Sequence, residues 1–390
     1  AQRSMTGLDA IRGNGAWIET SDGNRYLDLA AGIATCNLGH SHPAVIAAAL
    51  HQMERVIHLG GTLGHRPMRD LADRLMEITP GPIERFLFLT TGSEANLGAA
   101  DLARRATGRR GIVIFGGGSE GLHGPDVHAA PFPRPDEPGL SEQAAAERAL
   151  EGLDRLHDRV LPGADTACYL VEPVQGRAGN HPGGRPFLAG LRERADRHGA
   201  LLIFDEIQTG MGRTGDWFSA QTYGVDPDVV TMGKAIGGGF PLSALGARGE
   251  VMDTMRPGDH GSTFGGHPVS CAAGLAGIEA MEAEGLPAHA GELGAMALAR
   301  LGALAGRYPQ LSARGLGLMI GVEVLDPDTR EADPALAAAI ESAVREEGVL
   351  LIRSGPDGNV IRVLPPLVIT DDELDMALGA IEKAAEAACG

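Results

Sequence analysis

The sequence predicts an α/β fold, with a large domain built on a mostly parallel sheet and a smaller α+β domain. Two observations carry this. Strand-length apolar runs alternate with helical patterns through the middle of the chain, whereas the final third alternates helices with short, separated strands. Near-continuous apolar strands with helices between them suit a sheet covered on both faces.

The elements follow in order. The N-terminal segment AWIETSDGNRYLDLA reads as a β-ribbon able to join the smaller domain. RFLFL (Arg85 to Leu89) runs into a helical pattern, EANLGAADLARRATG, whose apolar positions recur at helical spacing. GIVIF (Gly111 to Phe115), ACYLVE (Ala167 to Glu172), ALLIF (Ala200 to Phe204) and DVVTM (Asp228 to Met232) are further buried strands. FLAGLRERADRHG is a helix between two of them. Residues 1–50 form an N-terminal segment, 51–270 the large domain and 271–390 the small one, where PALAAAIESAVREEG alternates with MIGVEV, VLLI and NVIRVL. The stretch from Pro131 to Pro138 reads as a surface loop.

Composition narrows the function. The 390 residues are 43% hydrophobic and 22% charged, enough chain for a large core. A net charge of -18 without a basic block excludes a phosphate-backbone binder, so no nucleic-acid partner is expected. No run is long enough to span a bilayer, and the first residues lack a signal pattern. Cys36, Cys168, Cys271 and Cys389 form no CxxC pair, so neither a disulfide framework nor a metal site is expected. A cytoplasmic protein with free thiols is the expectation.

Among 33 basic residues only Lys234 and Lys383 are lysine. Lys383 lies in the helical pattern EKAAEAA, where solubility accounts for it. Lys234 lies in TMGKAIGGGF, at the end of the strand DVVTM, in a glycine-dense stretch where a surface lysine is not expected. Four apolar residues of ALLIFDEIQTGMGRTG end in Asp205 and Glu206. In open α/β sheets ligands sit at the carboxyl ends of strands, and a carboxylate there needs a cation or donors. Adjacent strands would bring Asp205 and Lys234 to one ligand. FLTTGSEANLG turns from strand to helix at Gly92 and Ser93. Ser93 reads equally well as a helix cap or as part of a phosphate cradle at a helix N-terminus.

Two motifs point elsewhere and fail. Gly116, Gly118 and Gly121 fit G-x-G-x-x-G, but the following LHGPDV lacks the helix that would hold a pyrophosphate. TMGKAIGG lacks the upstream glycine and the Ser/Thr of a nucleotide-binding loop. His40, His42 and His123 have no metal-ligand spacing.

From YLDLAAGIATCNLGHSHP to NVIRVLPPLVIT, and most specifically in DEIQTGMGRTG followed by TMGKAIGGGFP, the chain resembles the class III aminotransferases. These are fold-type I enzymes dependent on pyridoxal 5'-phosphate, and they include 4-aminobutyrate and ornithine aminotransferases. The resemblance implies that Lys234 carries the cofactor through its ε-amine and then serves as acid and base. It pairs Asp205 with the pyridinium nitrogen and sets Gln208 near the phenolic oxygen. Gly92 and Ser93 would hold the phosphate, with Thr263 of GSTFGGHP completing that site from a partner subunit, which implies a homodimer with shared active sites. Leu122 and His123 would lie against the ring, Glu172 of VEPVQG near the ring and Asp205. Arg362 of NVIRVLPP would grip the substrate carboxylate bidentately, a geometry that suits Arg better than Lys. The implied reaction moves an amino group between an amino acid donor and a 2-oxo acid acceptor.

Four positions depart from the family's common pattern. Leu122 stands where an aromatic residue often stacks on the ring. Pro125 replaces an arginine that holds a distal carboxylate in 4-aminobutyrate aminotransferases. Arg177 follows EPVQG where a glutamate commonly masks the substrate arginine, and His267 replaces an asparagine. The first three count against 4-aminobutyrate and against the ornithine type of dual specificity, and an unmasked Arg362 suits α-amino acids; the effect of His267 has no physical account. Arg177 either grips an acidic side chain or pairs with a local carboxylate. An amino-acid racemase or epimerase would use the same Lys234, Asp205 and Arg362, and a non-catalytic pyridoxal-fold protein is a second alternative.

Overall fold

The computed structural model describes residues 7–118, 121–134, 140–256 and 258–390. The chain opens with an antiparallel ribbon, β1 (Ala10–Asn14), β2 (Trp17–Thr20) and β3 (Arg25–Asp28). Asp22 turns β2 into β3 by accepting from Thr20 Oγ1 at 2.5 Å and from the Asn24 N–H at 3.2 Å. Trp17 Nε1 donates to Glu373 at 2.6 Å, fastening the ribbon to the helix Asp371–Cys389.

The main sheet contains β4 (Arg85–Leu89), β5 (Gly111–Phe115), β6 (Val127–Ala130) and β7 (Thr166–Val171). After a short hairpin, β8 (Val174–Gln175) and β9 (His181–Pro182), it continues with β10 (Leu201–Asp205), β11 (Val229–Met232) and β12 (Ser243–Ala247). Its order is β4-β12-β11-β10-β7-β5-β6. Every pairing from β11 to β6 is parallel, while β12 runs antiparallel to both its neighbours. The sheet is therefore mostly parallel, as expected, and the five expected strands all form.

Both faces are covered, which explains the continuous apolar runs. Successive residues of a strand point to opposite faces. Val113, Tyr169 and Leu202 pack with Leu153, Phe187 and Leu191 of the helices Glu142–Arg159 and Arg185–His198. Their neighbours Ile112, Cys168 and Ile203 pack on the other side with Ala95, Ala99 and Leu102 of the helix Gly92–Thr107.

A second sheet is antiparallel, in the order β13-β14-β17-β16, from β13 (Leu311–Leu316), β14 (Met319–Val324), β16 (Ile352–Ser354) and β17 (Val360–Val363). The remaining strand, β15 (Val349–Leu350), pairs in parallel with β3. The ribbon thus does join the C-terminal part of the chain.

The sequence reading omitted β6 and β12. Between Gly121 and β6 no helix forms, so the glycine motif after β5 lacks its pyrophosphate platform. Of the Pro131–Pro138 loop, Pro131 to Arg134 carry no regular structure, and Pro135 to Pro138 lie outside the described residues.

Candidate active site

Asp205 closes β10 and is 5% exposed, a position that the apolar run before it buries. Its Oδ2 accepts from Asn96 Nδ2 at 2.8 Å and its Oδ1 from the Ile207 N–H at 3.0 Å. Both partners are neutral. Burial, then the nearby Glu172 charge, raise the Asp205 carboxyl above the usual carboxylate range, with Lys234 opposing weakly. A buried carboxylate held only by neutral donors is costly until a cation reaches it.

Lys234 follows β11, the parallel neighbour of β10, with Asp205 opposite Thr231. Its φ is +47°, in the left-handed region that a non-glycine residue enters at a cost of about 1–3 kcal/mol. Surrounding structure enforces that turn: a Cβ on the preceding Gly233 would lie 3.1 Å from Ile207 Cγ2. Burial lowers the Lys234 pKa, helped by Arg362 and opposed by Asp205 and Glu172.

The helix Gly92–Thr107 points its N-terminus here. Its cap is Thr91, whose Oγ1 accepts from the Glu94 N–H at 3.2 Å while Glu94 accepts from the Thr91 N–H at 3.0 Å. Ser93 is therefore not the cap, and its hydroxyl is left for another partner. Gly92, Ser93, Asn96, Glu172, Asp205, Ile207, Gln208 and Lys234 enclose one cavity of about 240 Å³.

These residues fit a pyridoxal phosphate. The cavity offers a carboxylate wanting a cation, an amine whose pKa is depressed, and a helix N-terminus suited to an anion. Asp205, Lys234, Gly92, Ser93, Glu172 and Gln208 are brought together as expected. Leu122 is buried in the apolar cluster with Ala95 and Leu170, while His123 is exposed. Thr263 is exposed in a different cavity, with Met68 and Phe86, so this chain alone does not bring it to Lys234.

A second cavity of about 730 Å³ shares Glu172, Gln208 and Lys234 with the first and adds Ile33, Arg177, Arg362 and residues 352–358. Arg362, on β17, is 3% exposed and donates to Asn180 Oδ1 at 3.2 Å and to Gln208 Oε1 at 2.5 Å. Because Arg can only donate, the oxygen of Gln208 must face it, which leaves the amide nitrogen as the group free to donate. A Cβ on Gly176 would lie 2.0 Å from that oxygen, so any larger residue there would have to displace the Gln208 amide. Glu172 accepts from the Gly176 N–H at 2.8 Å, fixing the same turn.

Ile33 reaches this cavity on a left-handed turn in which Ala31, Gly32, Ile33 and Ala34 have φ of 47°, 59°, 62° and 59°. Such a conformation costs L-residues about 1–2 kcal/mol each. Asp28 holds it, accepting from the Ala30 N–H at 2.8 Å and the Ala31 N–H at 3.1 Å, with His40 Nε2 at 2.8 Å from its other oxygen. Glu206, next to Asp205, is spent on structure: it accepts from the Ser219 hydroxyl at 2.7 Å and the Ala220 N–H at 2.8 Å.

Sequence reasoning missed Asn96, Asn180 and Ile33. Asn96 was findable, because it lies three residues after Ser93 and so shares its helix face. Asn180 and Ile33 depend on long-range packing and give no local signal.

Comparison with known proteins agrees with the geometry. The family model described as aminotransferase class-III matches residues 1–124 and 119–385. An acetylornithine aminotransferase from Archaeoglobus fulgidus is 38% identical, over 94% of this chain and 92% of its own length. A probable 4-aminobutyrate aminotransferase from Bacillus subtilis is 35% identical, over 96% of this chain and 92% of its own. Among solved structures, an amine transaminase from an uncultivated Pseudomonas species, in its cofactor-bound form, superposes with a TM-score of 0.90 at 32% identity, covering 98% of this chain and 95% of that one.

Proposed function

The chain belongs to the class III aminotransferases, pyridoxal-phosphate enzymes that move an amino group from an amino donor to a 2-oxo acid, and from that premise we propose how its residues divide the work. The observation that carries the assignment is Asp205, a buried carboxylate whose described hydrogen-bond donors are both neutral, in one cavity with the depressed amine of Lys234.

When bound, pyridoxal phosphate supplies an aldehyde carbon that takes up the amino group and a ring that withdraws electrons from the substrate's α-carbon. Asp205 would keep the ring nitrogen's proton in place, with Asn96 fixing the carboxylate. The N-terminal N–H groups of the helix Gly92–Thr107 and the Ser93 hydroxyl would take the phosphate. Gln208 would turn its amide N–H to the phenolic oxygen, Glu172 would line the ring, and Leu122 with His123 would bound its far side. Lys234 is the covalent attachment point and the base for the substrate's α-proton. Burial lowers its pKa, the direction a base requires. In the reverse direction its ammonium returns the proton to the α-carbon of the new amino acid.

Arg362 is the carboxylate ligand. Its hydrogen-bonded partners are the neutral Asn180 and Gln208, and among the described residues it donates to no carboxylate, which favours α-amino acids over ω-amines. We further propose a homodimer. The exposed Met53, Ile57 and Phe264 line an apolar cavity with Phe240, and Thr263, next to Phe264, would reach a partner's phosphate site across that face. The four free cysteines are consistent with a cytoplasmic setting.

The test is direct. Purified protein given pyridoxal phosphate should become coloured, and borohydride should fix the label on Lys234 in a peptide map. Candidate amino acids, without any oxo acid, should each yield one equivalent of their own oxo acid. Repeated inversion with solvent deuterium uptake would instead indicate an epimerase, and turnover surviving Lys234→Ala would sink the assignment.

A further inference from the structure

The large cavity holds three guanidinium groups, and their circumstances differ. Arg353 is neutralised by Glu341, Nε to Oε2 at 2.6 Å, and also donates to the Gly358 carbonyl at 2.9 Å. Arg362 is buried with neutral partners and is proposed above as the ligand of the α-carboxylate. Arg177 lines the same cavity with an exposed side chain, and among the described residues no carboxylate pairs with it. A surface arginine in solvent needs no explanation. This one is different, because its backbone is pinned at the cavity wall from both sides.

Its carbonyl accepts from the Gly355 N–H at 3.0 Å, tying it to the loop after β16. The preceding Gly176 is held by Glu172, and a Cβ built on Gly176 would lie 3.5 Å from Arg362 Nη2. Arg177 therefore follows directly on the glycine that abuts the buried arginine, and it lines the larger cavity, whereas Asp205 lines only the smaller one. Lining the larger cavity with it are Ile33, Pro356 and the exposed Asp357, so the wall offers a second anion the Arg177 cation and an apolar flank, set against one exposed carboxylate.

We propose that Arg177 determines specificity by binding a second acidic group: Arg362 takes the α-carboxylate, and Arg177 the distal carboxylate, of a dicarboxylic amino acid and of its 2-oxo diacid. This rests on Arg362 as the α-carboxylate ligand. The clamp also explains the charge at position 177. A cation there leaves Arg362 open and adds a second anchor. An arginine suits this because its planar fork pairs with a carboxylate through two hydrogen bonds.

The experiment uses unreactive probes on the cofactor-loaded enzyme, so that binding is read without turnover. Calorimetry compares glutarate, with two carboxylates, and pentanoate, with one on a similar chain. The wild type should bind glutarate at least about ten-fold more tightly. Arg177→Gln should weaken glutarate by about 10- to 100-fold, the scale of a lost charge-assisted bond, and move pentanoate little. Arg177→Lys should restore part of the difference. Equal binding of the two probes by the wild type, or equal weakening of both by Arg177→Gln, would overturn the proposal. A wild type that binds glutarate through Arg177 yet converts no amino acid would leave the clamp standing and sink the aminotransferase assignment instead.

Discussion

Asp205→Asn separates chemistry from folding. The Ile207 N–H donates to Oδ1 at 3.0 Å, so the new amide must keep its oxygen there and place its NH₂ against Asn96. Asn96 can invert to meet it, because its present partner is the Thr231 hydroxyl, at 2.7 Å, which accepts as readily as it donates. The described hydrogen bonds of this pair are thus replaceable, and the charge is lost. Removing one member of a buried ion pair costs about 3–5 kcal/mol. Expressed as a rate, that is about two to nearly four orders of magnitude. Stopped-flow spectroscopy of the half-reaction with a good amino donor should show this loss.

Without cofactor the sign reverses. Burial and Glu172 raise the Asp205 carboxyl, so the folded state disfavours its ionised form. That disfavour grows as pH rises through the folded pKa, and the cofactor-free wild type loses stability there. Cofactor-free Asp205→Asn should therefore melt no lower than the wild type at pH 8. A half-reaction within about ten-fold of wild type, or a cofactor-free variant that melts well below it, would refute the reasoning.

Two further outcomes are expected. Gly176→Ala places a Cβ 2.0 Å from Gln208 Oε1, and overpacking of this kind costs about 1–3 kcal/mol. Displacement of Gln208 and Arg362 should raise KM for α-amino acids by about ten-fold or more, with a smaller change in kcat, in steady-state assays. The His40 pKa is pushed up to about 9, chiefly by its hydrogen bond to Asp28. Its contribution is complete below pH 6.5 and is lost as pH rises toward 9. Because His40 is partly exposed, the loss should be only about 1 kcal/mol, seen as a decline of about 1–2 °C in melting temperature that His40→Gln lacks.

Much of this architecture was legible because burial on both faces leaves a plain trace. Thr166–Val171 is buried at every position, and such a run between helical patterns has few other readings. Lys234 and Asp205 were legible for a related reason, since polar residues ending two apolar strands need a shared purpose. By contrast, β12 reads SALGA, with Leu245 as its one large apolar residue and no β-branched or aromatic residue to mark a strand. Its small residues answer to neighbours far along the chain: a Cβ on Gly246 would lie 2.7 Å from both Ile83 and Phe86. The turn at residues 31–34 was equally hidden. Nothing in AGIA announces left-handed torsions, which are enforced by Asp28 from the preceding strand. Arg177 stood out as an unusual residue, but its two readings turn on whether a carboxylate pairs with it, which only the fold can place; among the described residues none does.

The two cavities draw on the gene differently. Everything enclosing the smaller one comes from a single stretch, Gly92 to Lys234, whereas the larger takes walls from Ile33, from Glu172 and Arg177, and from Ile352 to Arg362. Recombination between related genes can thus transplant the smaller cavity with one exchanged segment. The proposed two-arginine clamp would not travel that way. Any crossover between residues 177 and 352 parts Arg177 from Arg362, so the clamp would pass on only in exchanges that carry both arginines.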